Sequence, residues 1–140
     1  MPSPILSTKK AAEIRLATLG IPTAYENAEF TPVANQAYIR VQFDIRNPSD
    51  PTLGDGYYRE QIQLQVFVCD VLNKGTASAI TTAESIRTLF KKGTFLLQDG
   101  YRISVLETPM IKGSIKTSDR LVVPVMIDLT VDVFNWKLFN

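Results

Sequence analysis

Alternating apolar and polar residues predict β-strands in three parts of the chain, at residues 37–46, 57–69 and 120–134. Such alternation is typical of an antiparallel strand that buries one face against a core and leaves the other in water. A fourth, shorter strand is predicted at 101–107, after the Asp99-Gly100 turn. One face of the predicted sheet is therefore apolar and the other polar.

Two segments have apolar residues at helical spacing, which predicts helices over 4–19 and 76–91. Ser3 and Pro4 suit the N-cap and first position of the first helix, and Gly20 suits its end. Thr76 is the candidate N-cap of the second helix. The order helix, two strands, helix, two strands favours an α+β fold, with a mainly antiparallel four-stranded sheet and both helices packed on one face.

The predicted elements fill one domain, residues 1–140, joined by two long connections at 47–56 and 108–119. Neither connection has a strong structural preference, and both contain turn-forming residues. Pro124 lies within the last strand and has no N–H to donate to a neighbouring strand. We therefore expect the last strand to be an edge strand at that point, or to be bulged.

The composition removes several classes of function. The net charge is +1, and the two halves carry 6 basic and 8 acidic, then 9 basic and 6 acidic residues, so electrostatic capture of nucleic acid is not expected. The chain has no histidine and one cysteine, Cys69, which we expect to be buried. It also lacks the glycine-rich phosphate-binding motifs. We expect no enzyme activity, no metal site and no cofactor.

With no signal-like start and no long apolar run, we expect a soluble cytoplasmic protein that does not bind a membrane.

The polar strand face and the two connections are the candidate interaction surfaces. Three glutamines in alternation form an uncharged face, and the second connection has apolar residues without an evident core role. The alternatives are a solvated face and a connection that binds nothing. The candidate interface residues are Arg46, Asp50, Asp55, Tyr57, Arg59, Gln61, Gln63, Met110, Ile111, Lys112, Ile115 and Lys116. The aromatic residues from Phe134 onward pack on the same core or contact a neighbour.

Several segments match a known family in chain order. Residues 25–32 read Y-E-N-A-E-F-T-P and residues 38–41 read Y-I-R-V. This pattern resembles the W-E-N-x-x-F-x-P … W-x-R-V opening of small minor tail proteins, the tail terminators of lambda-like phages with long non-contractile tails. Tyr25 replaces the first tryptophan of that pattern and keeps an aromatic ring. The strand at 58–68 and the helix at 75–90 resemble the same family.

This resemblance implies a structural virion protein without an active site. It implies a ring, a hexamer, that caps the tail tube, stops polymerisation of the major tail protein and offers a surface to the head connector. The protein would assemble in the host cytoplasm and lie at the head-proximal end of the tail. DNA would pass through the lumen without specific binding, and Asp128 and Asp132, on the polar face of the last strand, are candidates to line it.

We further expect the connections 47–56 and 108–119 to become ordered against neighbouring subunits. Two other classes of function stay open at this stage. One is another neck component, such as a head-completion or connector protein, or a tail-tube subunit. The other is an enzyme or a small-ligand module, which would need a deep pocket with convergent polar groups.

Overall fold

A computed structural model describes residues 2–54 and 56–134. The helices are α1 (Pro4–Ala17) and α2 (Ala77–Leu89), and the strands are β1 (Thr23–Ala24), β2 (Tyr38–Ile45), β3 (Tyr57–Val71), β4 (Phe95–Gln98), β5 (Tyr101–Val105), β6 (Met110–Ile111), β7 (Ile115–Lys116) and β8 (Arg120–Phe134). The two predicted helices are confirmed to within about two residues at each end.

All the described strands belong to one mixed sheet of eight strands, which curls into a half-barrel. The order is β1-β2-β3-β8-β5-β4, with β6 and β7 also paired to β8. Strand β1 runs parallel to β2, and every other described pair is antiparallel. The prediction of an α+β fold with a mainly antiparallel four-stranded sheet is therefore wrong. The fold is mostly β, because short segments without a periodic pattern also join the sheet.

Strands β3 and β8 form the centre of the sheet. They pair along 15 residues each, from Tyr57 opposite Phe134 to Val71 opposite Arg120. The other side of β8 pairs in turn with β7, β6 and β5. The expectation that β8 is an edge strand at Pro124, or is bulged there, is therefore wrong: the ladder with β3 is continuous through Pro124, and the N–H of Lys112 lies on its other side. The expected weak structure of 108–119 is also wrong, because β6 and β7 lie within it and pair with β8 inside a single chain.

Pro124 is accommodated by an interruption in the neighbouring strand. Its carbonyl accepts a hydrogen bond of 2.9 Å from the N–H of Lys112. The nitrogen of a strand residue points to the same side as its carbonyl, so the nitrogen of Pro124 faces the gap between β6 and β7. The 15-residue ladder with β3 continues past the proline.

Both helices cover the apolar face of the sheet. Alternate residues of β2, β3, β5 and β8 are almost completely buried there, together with alanines from each helix. Ser3 caps α1 as predicted, because its hydroxyl accepts from the N–H of Leu6 at 3.2 Å, whereas Thr76 makes no such bond in α2. Cys69 is buried as predicted, and burial raises the pKa of its thiol.

The strand β4 is the one full hairpin strand that the sequence pattern did not indicate. It joins β5 through a two-residue turn in which Asp99 and Gly100 have φ of 54° and 85°. Positive φ at both positions suits a type I′ turn, which matches the twist of the flanking strands. The turn was predicted, but the segment before it, Phe95–Gln98, has no apolar alternation long enough to predict a strand.

The segment 25–32 covers part of the free edge of β2. Glu26 accepts a hydrogen bond of 3.2 Å from the backbone N–H of Phe43, and its other oxygen lies 2.9 Å from Nζ of Lys9. Further along, the ring of Phe30 lies 5.1 Å from the ring of Tyr38. Burial raises the pKa of Glu26, but the bonds from Lys9 and Phe43 outweigh it and the pKa is lowered. A carboxylate thus replaces a missing neighbour strand, which limits unwanted edge pairing.

We predict that Glu26→Ala lowers the free energy of unfolding by about 1–2 kcal/mol, because an edge N–H of the sheet loses its acceptor. Urea denaturation followed by circular dichroism measures the change. Glu29→Ala is the matched control, since Glu29 is exposed in the same segment, and its effect should stay within about 0.5 kcal/mol. Equal effects of the two substitutions would show that Glu26 has no special role at the edge.

Candidate interaction surface

We call the sheet face opposite the helices the outer face. The register of the strands decides which side chains lie on it, since directly paired residues point to the same side. The structure brings most of the candidate residues together there. Those on the outer face are Arg46, Tyr57, Arg59, Gln61, Gln63, Met110, Ile115, Asp128 and Asp132. The candidates for a subunit interface and the candidates for a lumen therefore share one surface.

One end of the outer face is apolar. Met110 lies opposite Met126, and Ile115 lies opposite Val122. Met110 is 60% exposed and Ile115 is 55% exposed, although each belongs to a strand. Exposed apolar side chains held on a paired backbone are a feature of surfaces that meet a partner.

A network of uncharged and charged groups occupies the middle of the outer face. Gln63 accepts a hydrogen bond of 2.8 Å from Arg46 and donates one of 3.1 Å to Asp128. Gln65 donates to the same oxygen of Gln63 at 2.9 Å, and Arg46 also pairs with Asp44 at 2.8 Å. The side chains satisfy one another across three strands, so this surface can approach another protein without leaving most of these groups unpaired.

A second cluster surrounds Asp132. Its Oδ1 accepts from Nε of Arg59 at 2.8 Å and from the hydroxyl of Tyr57 at 2.9 Å, while the Tyr57 ring stacks on Phe134 at 4.7 Å. Partial burial raises the pKa of Asp132, but the bonds from Arg59 and Tyr57 and the charge of Arg59 outweigh it. The pKa is therefore lowered, and Asp132 stays ionised and paired.

Asp128 differs from Asp132 because, among residues 2–54 and 56–134, no cation forms an ion pair with it. It is exposed and accepts one hydrogen bond, from Gln63. Asp128 also lines a groove of about 480 Å³, together with Arg46, Gln61 and Glu107. The groove is open and mixed in polarity, and its carboxylates are not arranged as a metal site: the described part of the chain has no cluster of three metal-ligating side chains.

The other candidate residues lie elsewhere. Asp50, in the connection 47–56, is exposed, and Asp55 falls outside the described residues. Ile111 points to the helix side of the sheet and packs against the core, which gives it the core role that the sequence did not indicate. Lys112 and Lys116 are exposed, and the register places Lys116 on the helix side. Of the C-terminal aromatic residues, only Phe134 is among those described.

The structure also reveals exposed apolar residues that the sequence pattern did not single out. Phe95 and Leu97, on the outer face of β4, are 49% and 71% exposed, and Arg102 lies over the Phe95 ring at 4.2 Å. Leu53, in the connection 47–56, has its side chain entirely in solvent. A signal for Leu53 was available, because it is an apolar residue within a run of polar and turn-forming residues. No such signal was available for Phe95 and Leu97, because their exposure depends on how β4 pairs in the sheet.

Comparisons with known proteins add a family and a fold. A family model described as Phage tail terminator protein matches residues 7–128. One solved structure resembles this chain with a TM-score of 0.74 and 23% sequence identity, over 93% of this chain and 96% of that chain. At this identity the likeness concerns the fold. No curated protein matches the sequence. Neither α1 nor α2 is long and apolar enough to cross a membrane.

The Asp132 cluster generates a pH prediction. A carboxylate whose pKa is lowered on folding contributes stability above its ordinary value of 3.8, and that stability is lost as the pH falls through the lowered value. Asp132→Asn should lower the free energy of unfolding at pH 7 by less than about 1 kcal/mol, because both partners are partly exposed. The difference in the free energy of unfolding between the wild type and Asp132→Asn should be smaller at pH 3. Urea denaturation at the two pH values measures it.

Asp128→Asn is the control for this experiment, since it removes a carboxylate of the same face that lacks an ion pair. Its effect should stay within about 0.5 kcal/mol at both pH values. A deficit for Asp132→Asn that is equal at pH 7 and pH 3 would mean that the charge of Asp132 does not stabilise the fold.

Proposed function

We infer the role of this protein from one premise: the chain belongs to the phage tail terminator protein family. It is therefore a structural protein of a bacteriophage tail. We propose that it forms a closed ring, a hexamer, on the head-proximal end of the tail tube. The ring stops polymerisation of the major tail protein and offers a joining surface to the head connector. The match over residues 7–128, which includes all of β3 and the first nine residues of β8, carries this proposal.

The two ends of the sheet support a head-to-tail ring. One end is β2 with its short partner β1, and the other end is the hairpin strand β4. These ends differ in sequence and in shape, so a contact between one end of a subunit and the other end of the next is heterologous. A heterologous contact closes into a ring when the rotation between subunits is a simple fraction of a turn.

We propose that the outer face lines the lumen of the ring and that the helices lie on its outside. The hydrogen-bonded network of Gln63, Arg46 and Asp128 supports this, because its side chains are already paired and offer few free donors to phosphates. The unpaired charge of Asp128 is negative, which opposes binding of DNA. The charge of Asp132 is offset by its ion pair with Arg59. Of the two candidate lumen residues, Asp128 therefore repels DNA more effectively.

The apolar end of the outer face is the proposed docking surface for another tail or neck protein. Met110 and Ile115 lie on the half of β8 that precedes Asp128: Met110 is opposite Met126, near the middle of the strand, and Ile115 is opposite Val122, toward its first end. If the ring axis runs along the strands, this end lies at one rim of the ring. A rim with exposed apolar side chains suits the major tail protein or the head connector.

A second candidate is another neck component or a tail-tube subunit. A tube subunit has the same need for a lumen and for lateral contacts, but it also stacks without limit. A terminator and a tube subunit therefore differ in how far they assemble, and the size of the assembled species distinguishes them. We favour the terminator because of the family match.

We predict that phage particles made without this protein have tails of uncontrolled length, because nothing blocks the addition of further tube rings. Electron microscopy of tails from a deletion and from the complemented phage measures the length distribution. Light scattering on the purified protein should give a fixed ring or a monomer. Tails of normal length in the deletion, or open-ended filaments of the purified protein, would contradict the proposal.

A separate prediction concerns the lumen. The wild-type ring should not bind duplex DNA measurably near 0.15 M salt, whereas Asp128→Lys should create binding that weakens steeply as salt rises. Fluorescence anisotropy of a labelled duplex measures this. Glu84→Lys makes the same charge change on exposed α2, on the helix side, and should bind DNA less. Equal binding by the two variants would contradict the placement of Asp128 in the lumen.

A further inference from the structure

The connection between β2 and β3 presents one leucine to solvent. Leu53 is 109% exposed relative to a free chain, next to Gly54 and close to Pro51. The base of this loop is held, since Ser49 and Arg59 exchange two backbone hydrogen bonds of 2.8 Å. A fully exposed leucine on an anchored loop loses little conformational freedom when it is buried by a partner. Leu53 is therefore suited to act as an anchor.

We propose that Leu53 inserts into the groove between α1 and β4 of the next copy of this chain. The groove has a volume of about 310 Å³, and its lining is mostly apolar: Ala11, Ile14, Leu89, Leu96 and Leu97. Ile14 is 55% exposed and Leu97 is 71% exposed, so the groove has an apolar rim as well as an apolar floor. This inference rests on the proposed ring and identifies the contact that closes it.

The positions of loop and groove match across copies. Strands β2 and β4 lie at opposite ends of the sheet, four strand spacings or about 19 Å apart along it. The base of the loop and the groove also lie at the same height along the strand direction. Leu96 lies opposite Ile103, Ile103 opposite Val131, and Val131 opposite Glu60, the residue after the Ser49–Arg59 bridge. Rotation about an axis along the strands preserves this level, so it brings the loop of one subunit to the groove of the next.

The charges around the two surfaces are complementary. The connection 47–56 carries Asp50 and Asp55 and has no basic residue. Arg15 lines the groove, and Lys10, one turn before Ile14 on the same helix, is exposed. Attraction between these groups favours the correct register of two copies over alternatives. A second copy of this chain is thus the occupant that fits both the apolar and the charged features of the groove.

The first test is Leu53→Asp in the full-length protein, measured by sedimentation and light scattering over a range of concentrations. We expect subunit association to weaken by about 10- to 100-fold, because a leucine side chain is no longer buried. Val33→Asp is the matched control, since Val33 is 61% exposed on a different loop, and its association should be unchanged. The thermal unfolding of both variants should match the wild type.

The second test cross-links the two surfaces. Leu53→Cys combined with Ile14→Cys should give disulfide-linked oligomers up to the closed ring after mild oxidation, and each single variant should not. Cys69 is buried and serves as an internal negative control. The same cross-link is sought in assembled tails, so that a protein that is monomeric when free still gives a result.

The outcomes separate this inference from the proposed function. A ring that forms normally with Leu53→Asp, and without a Leu53–Ile14 cross-link, would overturn the inference while the ring stands. A protein that forms no ring, either free or in tails, would overturn both. Association that is weakened equally by Val33→Asp would mean that added charge, and not the loss of Leu53, is the cause, which also overturns the inference.

Discussion

The 15-residue ladder between β3 and β8 is the interaction on which the rest of the structure depends. Each of the other strands pairs with one of these two strands or with a strand that does. The ladder also decides the two faces, since its side-chain alternation directs Leu64, Val66, Val125 and Ile127 toward the helices. A shift by one residue would exchange the faces and expose the core. The burial of these residues therefore secures the register, and the register places every residue of the outer face.

The outer face combines features that usually occur on different surfaces. Its middle is polar but internally hydrogen-bonded, and its end near β6 and β7 is apolar and exposed. Two carboxylates of this face, Asp132 and Asp128, accept hydrogen bonds from an arginine and from an amide group. The outer face suits contacts in which shape and position matter, as in a tail protein of the terminator family.

The two free edges of the sheet differ. Along β2, Glu26 supplies an acceptor where a strand is missing, and this role explains why the acidic residue of the Y-E-N-A-E-F-T-P segment matters to the fold. Along β4, no comparable side chain covers the edge within the described residues, and apolar side chains stand beside it. The contrast supports our placement of the subunit contact at the β4 end.

The sequence by itself determined the two helices, the long strands β2, β3 and β8, and the buried face of each, because these elements repeat an apolar pattern over eight or more residues. It did not determine β4, β6 or β7, which are two to four residues long and form only because β8 and β5 offer them partners.

The central place of β8 was also beyond the sequence, since Pro124 indicates an edge until the gap between β6 and β7 is known. The candidate surface was also only partly predictable: the sequence indicated which residues were candidates, but not that most of them lie on one face of the sheet. Periodicity is a local property of the chain, whereas strand order, and with it the neighbours of Asp128 and Leu53, follows from pairing between distant segments.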